Sequence, residues 1–174
     1  MTSIYQQLVP AWLKYLNNMI HLMDLGIKYC EENNIAQEDI LTAQLAPDMR
    51  GFAYQVQSCS NNVKFALSRI GGIEVPYFPD DEKTFEELKT RLRVTIELLE
   101  GADAKSMEGV EGKEVLLKTE RMGTFKFDTA QRYVSEYSVP WFHFHMTTAY
   151  NILRWKGVPV GAMDYMKDVF VKVD

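Results

Sequence analysis

Four stretches of this chain repeat apolar residues at the spacing of an amphipathic α-helix, and each carries its own start or stop signal, which points to a helical bundle. In the first, Leu8, Trp12, Tyr15, Leu16, Met19, Met23, Ile27 and Cys30 gather on one face, behind a Ser3–Gln6 capping box and ahead of Asn33-Asn34. Pro10 removes one ladder donor within that stretch, so a kink, or a regular helix beginning there, is expected. Residues 35–45 read as a turn or short helix. A second helix is expected from Pro47, with Met49, Phe52, Ala53, Val56, Val63, Leu67 and Ile70 as its stripe and Gly71-Gly72 as its stop. Two prolines in IEVPYFPDDEK favour an extended crossing. A second capping box, Thr84 and Glu87, opens the third helix, which runs through Leu88, Leu92, Thr95 and Leu99 to Gly101.

From Glu114 to Phe127 the pattern changes to two short β-leaning runs, EVLLKT and TFKF, separated by ERMG. That is a hairpin, too small to anchor a fold alone. Residues 129–137 are expected to be helical, and Pro140 starts or restarts a fourth helix that ends at Gly157. The expected fold is all-α: an up-and-down four-helix bundle, one domain over residues 1–174, with a small β-hairpin inserted before the last helix.

Composition narrows the function classes. At 174 residues with 47% hydrophobic content, the chain can bury a core without a disulfide or metal staple. The net charge of -5 and the lack of a Lys/Arg-rich run argue against nucleic acid. The two cysteines, Cys30 and Cys59, are far apart and form no framework, so a reducing cytoplasm is expected. The opening residues lack a signal-peptide pattern, and no apolar run nears the roughly 20 residues of a membrane span. Neither a phosphate-cradling glycine loop, a G-x-S-x-G elbow nor an HExxH motif is present. Asp80-Asp81-Glu82 and Glu86-Glu87 read as solvated carboxylates near a helix start.

Chemistry concentrates in PWFHFHMTTAYNILRWKG, which holds His143 and His145, two of three histidines. Their spacing puts them about 200° apart on a helix, so they cannot share a metal ion. With Trp141 at the origin of a wheel, Phe144, Trp155, Thr148 and Ile152 fall within about 60° of it and His145 at about 40°. His143 falls at about 200°, on the polar side with Tyr150 and Arg154. His145 is therefore expected to be buried, facing the second or first helix and hydrogen-bonded, with His143 much more exposed. His21 is expected at the surface. For His145 three roles stay open: a neutral core histidine, a ligand-binding or catalytic group, and a metal ligand. The aromatic set Trp141, Phe142, Phe144, Tyr150 and Trp155 reads as core, and both cysteines as small hydrophobes.

LAPDM at residues 45–49, the GIEVPYF that follows Gly71, and HFHMTTAYNILRWKGVPVG resemble a bacterial domain-of-unknown-function branch of the DinB/YfiT-like superfamily, in order along nearly the whole chain. The resemblance implies a four-helix bundle, often dimeric, in a group described as metal-dependent enzymes that includes hydrolases and thiol transferases. It also implies a three-histidine metal site, with one histidine on the second helix and an H-x-x-x-H pair on the fourth. His145 matches the second member of that pair and Trp141 stands at the first. The second helix has no histidine, only Asp48, Gln55 or Cys59 nearby. A small-molecule-binding bundle with a degenerate metal site is therefore expected, with His145, Trp141, Asp48, Gln55 and Thr148 as pocket candidates and no resident cofactor. The competing expectations are an enzyme holding a divalent metal through His145, and a homodimer that acts through its interface. Neither nucleic acid nor a membrane is expected as a partner.

Overall fold

The Ser3 capping box forms as the sequence dictates: the Ser3 hydroxyl accepts from the Gln6 amide, and helix α1 (Ile4–Asn33) runs unbroken through Pro10. Its regular part thus begins at Ile4 and not at the proline, and Asn34 closes it in a left-handed turn with φ 54°. This computed structural model describes residues 2–120 and 122–173. A single turn, α2 (Glu38–Leu41), follows.

Helix α3 (Phe52–Gly71) starts five residues later than Pro47 suggested. At Gly51 the chain passes so close to the end of α2 that a Cβ would stand 2.9 Å from the Thr42 carbonyl oxygen. The chain must clear that contact before it can coil. Gly72 then ends α3 in a left-handed conformation, and Thr84 and Glu87 cap α4 (Phe85–Glu100) reciprocally.

Strands β1 (Val115–Thr119) and β2 (Gly123–Phe127) pair antiparallel, Val115 with Phe127 and Thr119 with Gly123. Alternation turns Val115 and Leu117 inward. A helical turn, α5 (Ala130–Arg132), passes through a wider turn at Tyr133–Ser138 into α6 (Val139–Trp155). In that wider turn the Val139 amide reaches back five residues to the Val134 carbonyl. Pro140 has no N–H to continue the ordinary ladder, and the re-registered turn accommodates it. A last turn, α7 (Ala162–Tyr165), folds back over α1.

The four long helices close a ring in which α4 lies against both α1 and α3, and α6 packs extensively on α3. One continuous buried cluster fills it, including Leu8, Trp12, Phe52, Phe85, Tyr133 and Phe142. Among the described residues, no helix is long and apolar enough to cross a membrane.

Of the carboxylates read as solvated, Asp81, Glu86 and Glu87 are exposed, but Glu82 is largely covered and Asp80, though exposed, is tied into an ion-pair network. Arg91, buried in α4, pairs with Asp80 at 2.6 Å and Glu82 at 2.8 Å, and bonds Ser60 and Asn61 of α3. Burial alone would raise the Glu82 carboxyl, but hydrogen bonds from Arg91 and Gln57 hold it below the usual carboxylate range. This network pins the extended crossing, residues 73–83, to the bundle.

Candidate functional site

Asn62 of α3 fixes the start of α6. Its amide nitrogen donates to the Ser138 carbonyl at 3.0 Å, and the Ser138 hydroxyl donates back to the Asn62 oxygen at 3.2 Å. With both groups buried, this reciprocal pair sets how α6 is rotated against α3.

That rotation carries His145 inside, where it is 3% exposed. Its Nδ1 lies 2.7 Å from Gln55 Oε1 on α3, while Gln55 Nε2 donates to the Arg50 carbonyl at 2.9 Å. The second bond fixes the amide: its oxygen faces the histidine, so Nδ1 carries the proton and donates. Nε2 is then a bare lone pair, and it is fully buried without a hydrogen bond among the described residues. Burial lowers the imidazole pKa to about 4, so the ring is neutral at pH 7. Trp141, Phe144 and Tyr54 stand edge-on around it, at 4.7, 5.0 and 5.9 Å between ring centres.

His145, Gln55 and Trp141, three of the pocket candidates, thus lie side by side. Asp48 and Thr148 do not join them. Asp48 is exposed in the loop before α3, and the Thr148 hydroxyl is turned onto its own helix, bonding the Phe144 carbonyl at 2.7 Å. Cys59 is buried against the Phe142 carbonyl, with its thiol pushed far up by desolvation.

Two other expectations need correction. Trp141, Phe144 and Trp155, assigned to the core, are 40%, 55% and 62% exposed. The buried face of α6 centres instead on Phe142, Met146, Ala149 and Leu153, with His145 at its edge. His143 is more exposed than His145, but both it and His21 are half-buried, because α7 covers them. His143 Nδ1 meets the Tyr165 hydroxyl at 3.0 Å, and His21 pairs with Asp164 at 3.0 Å.

Beside His145 lies a cleft of about 270 Å³, where α3, α6 and β1 meet. Tyr54, Asn61, Asn62 and Arg69 give it a polar floor, and Leu117 closes it from the hairpin. An apolar hollow of about 380 Å³ lined by Met122, Phe125 and Phe127 adjoins it, and Leu117, Thr119, Tyr137 and Trp141 belong to both. Arg69 donates to the Tyr133 hydroxyl at 3.0 Å. Sequence reasoning missed most of this groove. Its signal was present in Tyr54, Ser58, Asn61, Phe65 and Arg69, which recur at helical spacing beside the core stripe of α3.

A divalent metal does not fit these residues. Among the described residues, no three His, Cys, Asp or Glu side chains come together. The Nδ1 of His145 and the amide of Gln55 are already engaged with each other and with Arg50, and aromatic rings crowd the free nitrogen. One imidazole and no carboxylate fall short of a three-ligand centre.

The bundle is similar to known proteins. A crystal structure of a DinB family member from Shewanella denitrificans superposes with a TM-score of 0.87 at 27% sequence identity, over 98% of this chain and 96% of that one. No curated protein matches. The family described as Domain of unknown function (DUF1993) matches residues 4–166. By that match the chain belongs to the DUF1993 family, an uncharacterised domain with a DinB-like bundle.

Proposed function

We propose that this chain, acting as one domain, binds an amphipathic small molecule in the groove between α3, α6 and the hairpin. One observation carries the reading: a polar cleft and an apolar hollow share Tyr137 and Trp141 as a common wall. A ligand there would lay its apolar part under Phe125 and Phe127 and turn polar groups toward Asn61 and Arg69. Such a concave, largely apolar site with a few convergent polar groups is the usual form of a small-molecule pocket. His145 sits behind this wall and holds Trp141 and Tyr54 in place edge-on; its neutral ring adds no charge to the groove. Titrating a metabolite panel against the protein and reading thermal shift tests the proposal. A ligand that stabilises the wild type and loses at least about tenfold in affinity in Trp141→Ala supports it. Metal analysis of protein made without a histidine tag separates it from the metalloenzyme reading, for which stoichiometric zinc, nickel or iron would be required.

A homodimer is the second reading, favoured by the exposed row of Trp141, Phe144 and Trp155 along α6. Aromatic residues are enriched in interfaces, and Trp141 stacked on Phe144, with Trp155 about three turns further along, offers exposed aromatic area to cover. Light scattering at micromolar concentration decides it, since a monomer there removes this reading.

A further inference from the structure

Lys64 is 2% exposed, yet its ammonium makes no hydrogen bond or ion pair among the described residues. The stem is buried while the ammonium keeps a small opening to solvent, and no carboxylate among the described residues meets it there, as one ordinarily meets a lysine so largely covered. Here the ammonium lies 4.3 Å from the Phe78 ring centre and 4.9 Å from that of Phe65. Both rings are walls of a cleft of about 360 Å³, which Lys64 lines together with Val75, Tyr77 and Asp80.

The neighbouring charges leave that cation over. Asp80 lines the same cleft but is committed, accepting from Arg91 at 2.6 Å and from the Asn61 amide at 3.1 and 3.2 Å. Glu82 is committed to Arg91 and Gln57. Arg91 stacks over the other ring, 4.6 Å from Phe78, and Arg69 over Phe65 at 5.0 Å. Three cations, Lys64, Arg69 and Arg91, therefore surround two rings, against the two carboxylates Asp80 and Glu82. Desolvation and then Arg91 lower the Lys64 pKa, with Asp80 in partial opposition.

We infer that this cleft is a binding site for a small organic acid with an apolar or aromatic body, whose carboxylate supplies the counter-ion Lys64 lacks. The body would lie against Phe65, Val75, Tyr77 and Phe78, and the carboxylate would reach the ammonium at the floor. The site is separate from the groove at Trp141, although Asn61, Phe65 and Asp80 form the partition between them.

The probes are phenylacetate and its uncharged counterpart phenylacetamide, titrated by NMR into the full chain. Phenylacetate should bind saturably and roughly tenfold more tightly than the amide, from the charge-assisted contact alone. Its shifts should map to α3 and residues 73–80, not to the hairpin, which keeps the result distinct from the groove proposal. Lys64→Met should erase the preference for the acid and raise the denaturation midpoint of the ligand-free protein, because the uncompensated charge is gone. Lys64→Arg should keep the preference. Equal binding of acid and amide, no saturable binding of either, or a Lys64→Met variant less stable than wild type or unable to fold would each overturn the inference, the last two by making Lys64 a purely structural cation.

Discussion

Protonating His145 works against the fold, and the direction is fixed by where its ring sits. In the unfolded chain the imidazole takes up a proton near its ordinary pKa of about 6.5, while burial holds the folded value at about 4. The folded state thus binds fewer protons between those limits, so stability is full above about pH 6.5 and drains as pH falls toward 4, by an amount on the order of 3 kcal/mol. His143, also lowered by burial, adds to the loss in the same sense. Denaturation midpoints of wild type and His145→Gln, compared at pH 7 and pH 5, should converge as pH falls; a constant gap contradicts the buried neutral ring. At pH 7 His145→Ala should cost about 2–4 kcal/mol, from a cavity and an unpaired Gln55 oxygen. His145 is expected inside on a wheel centred on Trp141, whose stripe is exposed; it is buried because it borders the neighbouring stripe of Phe142, Met146 and Ala149. Its partner Gln55 was legible only as a nearby candidate, because nothing in a sequence states how two helices are rotated against each other.

Among the elements, the helix ends that carry side-chain caps were the easiest to foresee. Ser3 with Gln6 and Thr84 with Glu87 are local bonds within one turn, so residue spacing alone specifies them. The start of α3 was not foreseeable, because it depends on Gly51 passing the Thr42 carbonyl, a contact between two separate elements. Gly51→Ala should therefore destabilise by about 1–3 kcal/mol in chemical denaturation, and an unchanged midpoint would mean that the loop is looser than this packing requires. Helix α6 misled for a different reason. It is apolar nearly all round, with Trp141, Phe142, Phe144, Met146, Ala149, Ile152, Leu153 and Trp155, so the wheel offers two apolar stripes and no local rule chooses between them. The Asn62–Ser138 pair and the five-residue turn before Pro140 make the choice, leaving Trp141, Phe144 and Trp155 outside. Asn62→Ala should cost about 2–3 kcal/mol and broaden the NMR signals of α6; a silent variant would show that packing alone sets the rotation.

At the scale of the molecule, the bundle acts as a frame whose outer face, where α3, α6 and the hairpin meet, holds most of its unspent chemistry. The aromatic row on α6 borders the groove, so ligand binding and self-association would draw on the same surface. Trp155→Glu should convert any dimer to a monomer in light scattering and leave the groove at Trp141 intact. The measurement that tests the central claim most directly is a thermal-shift screen of a broad metabolite panel, run side by side on wild type and Trp141→Ala. At least one amphipathic compound should raise the wild-type midpoint by several degrees, about what a ligand at 100 times its Kd gives, and fail to do so in the variant. A panel in which nothing stabilises the wild type, or in which every stabilising compound acts equally on both proteins, would contradict it.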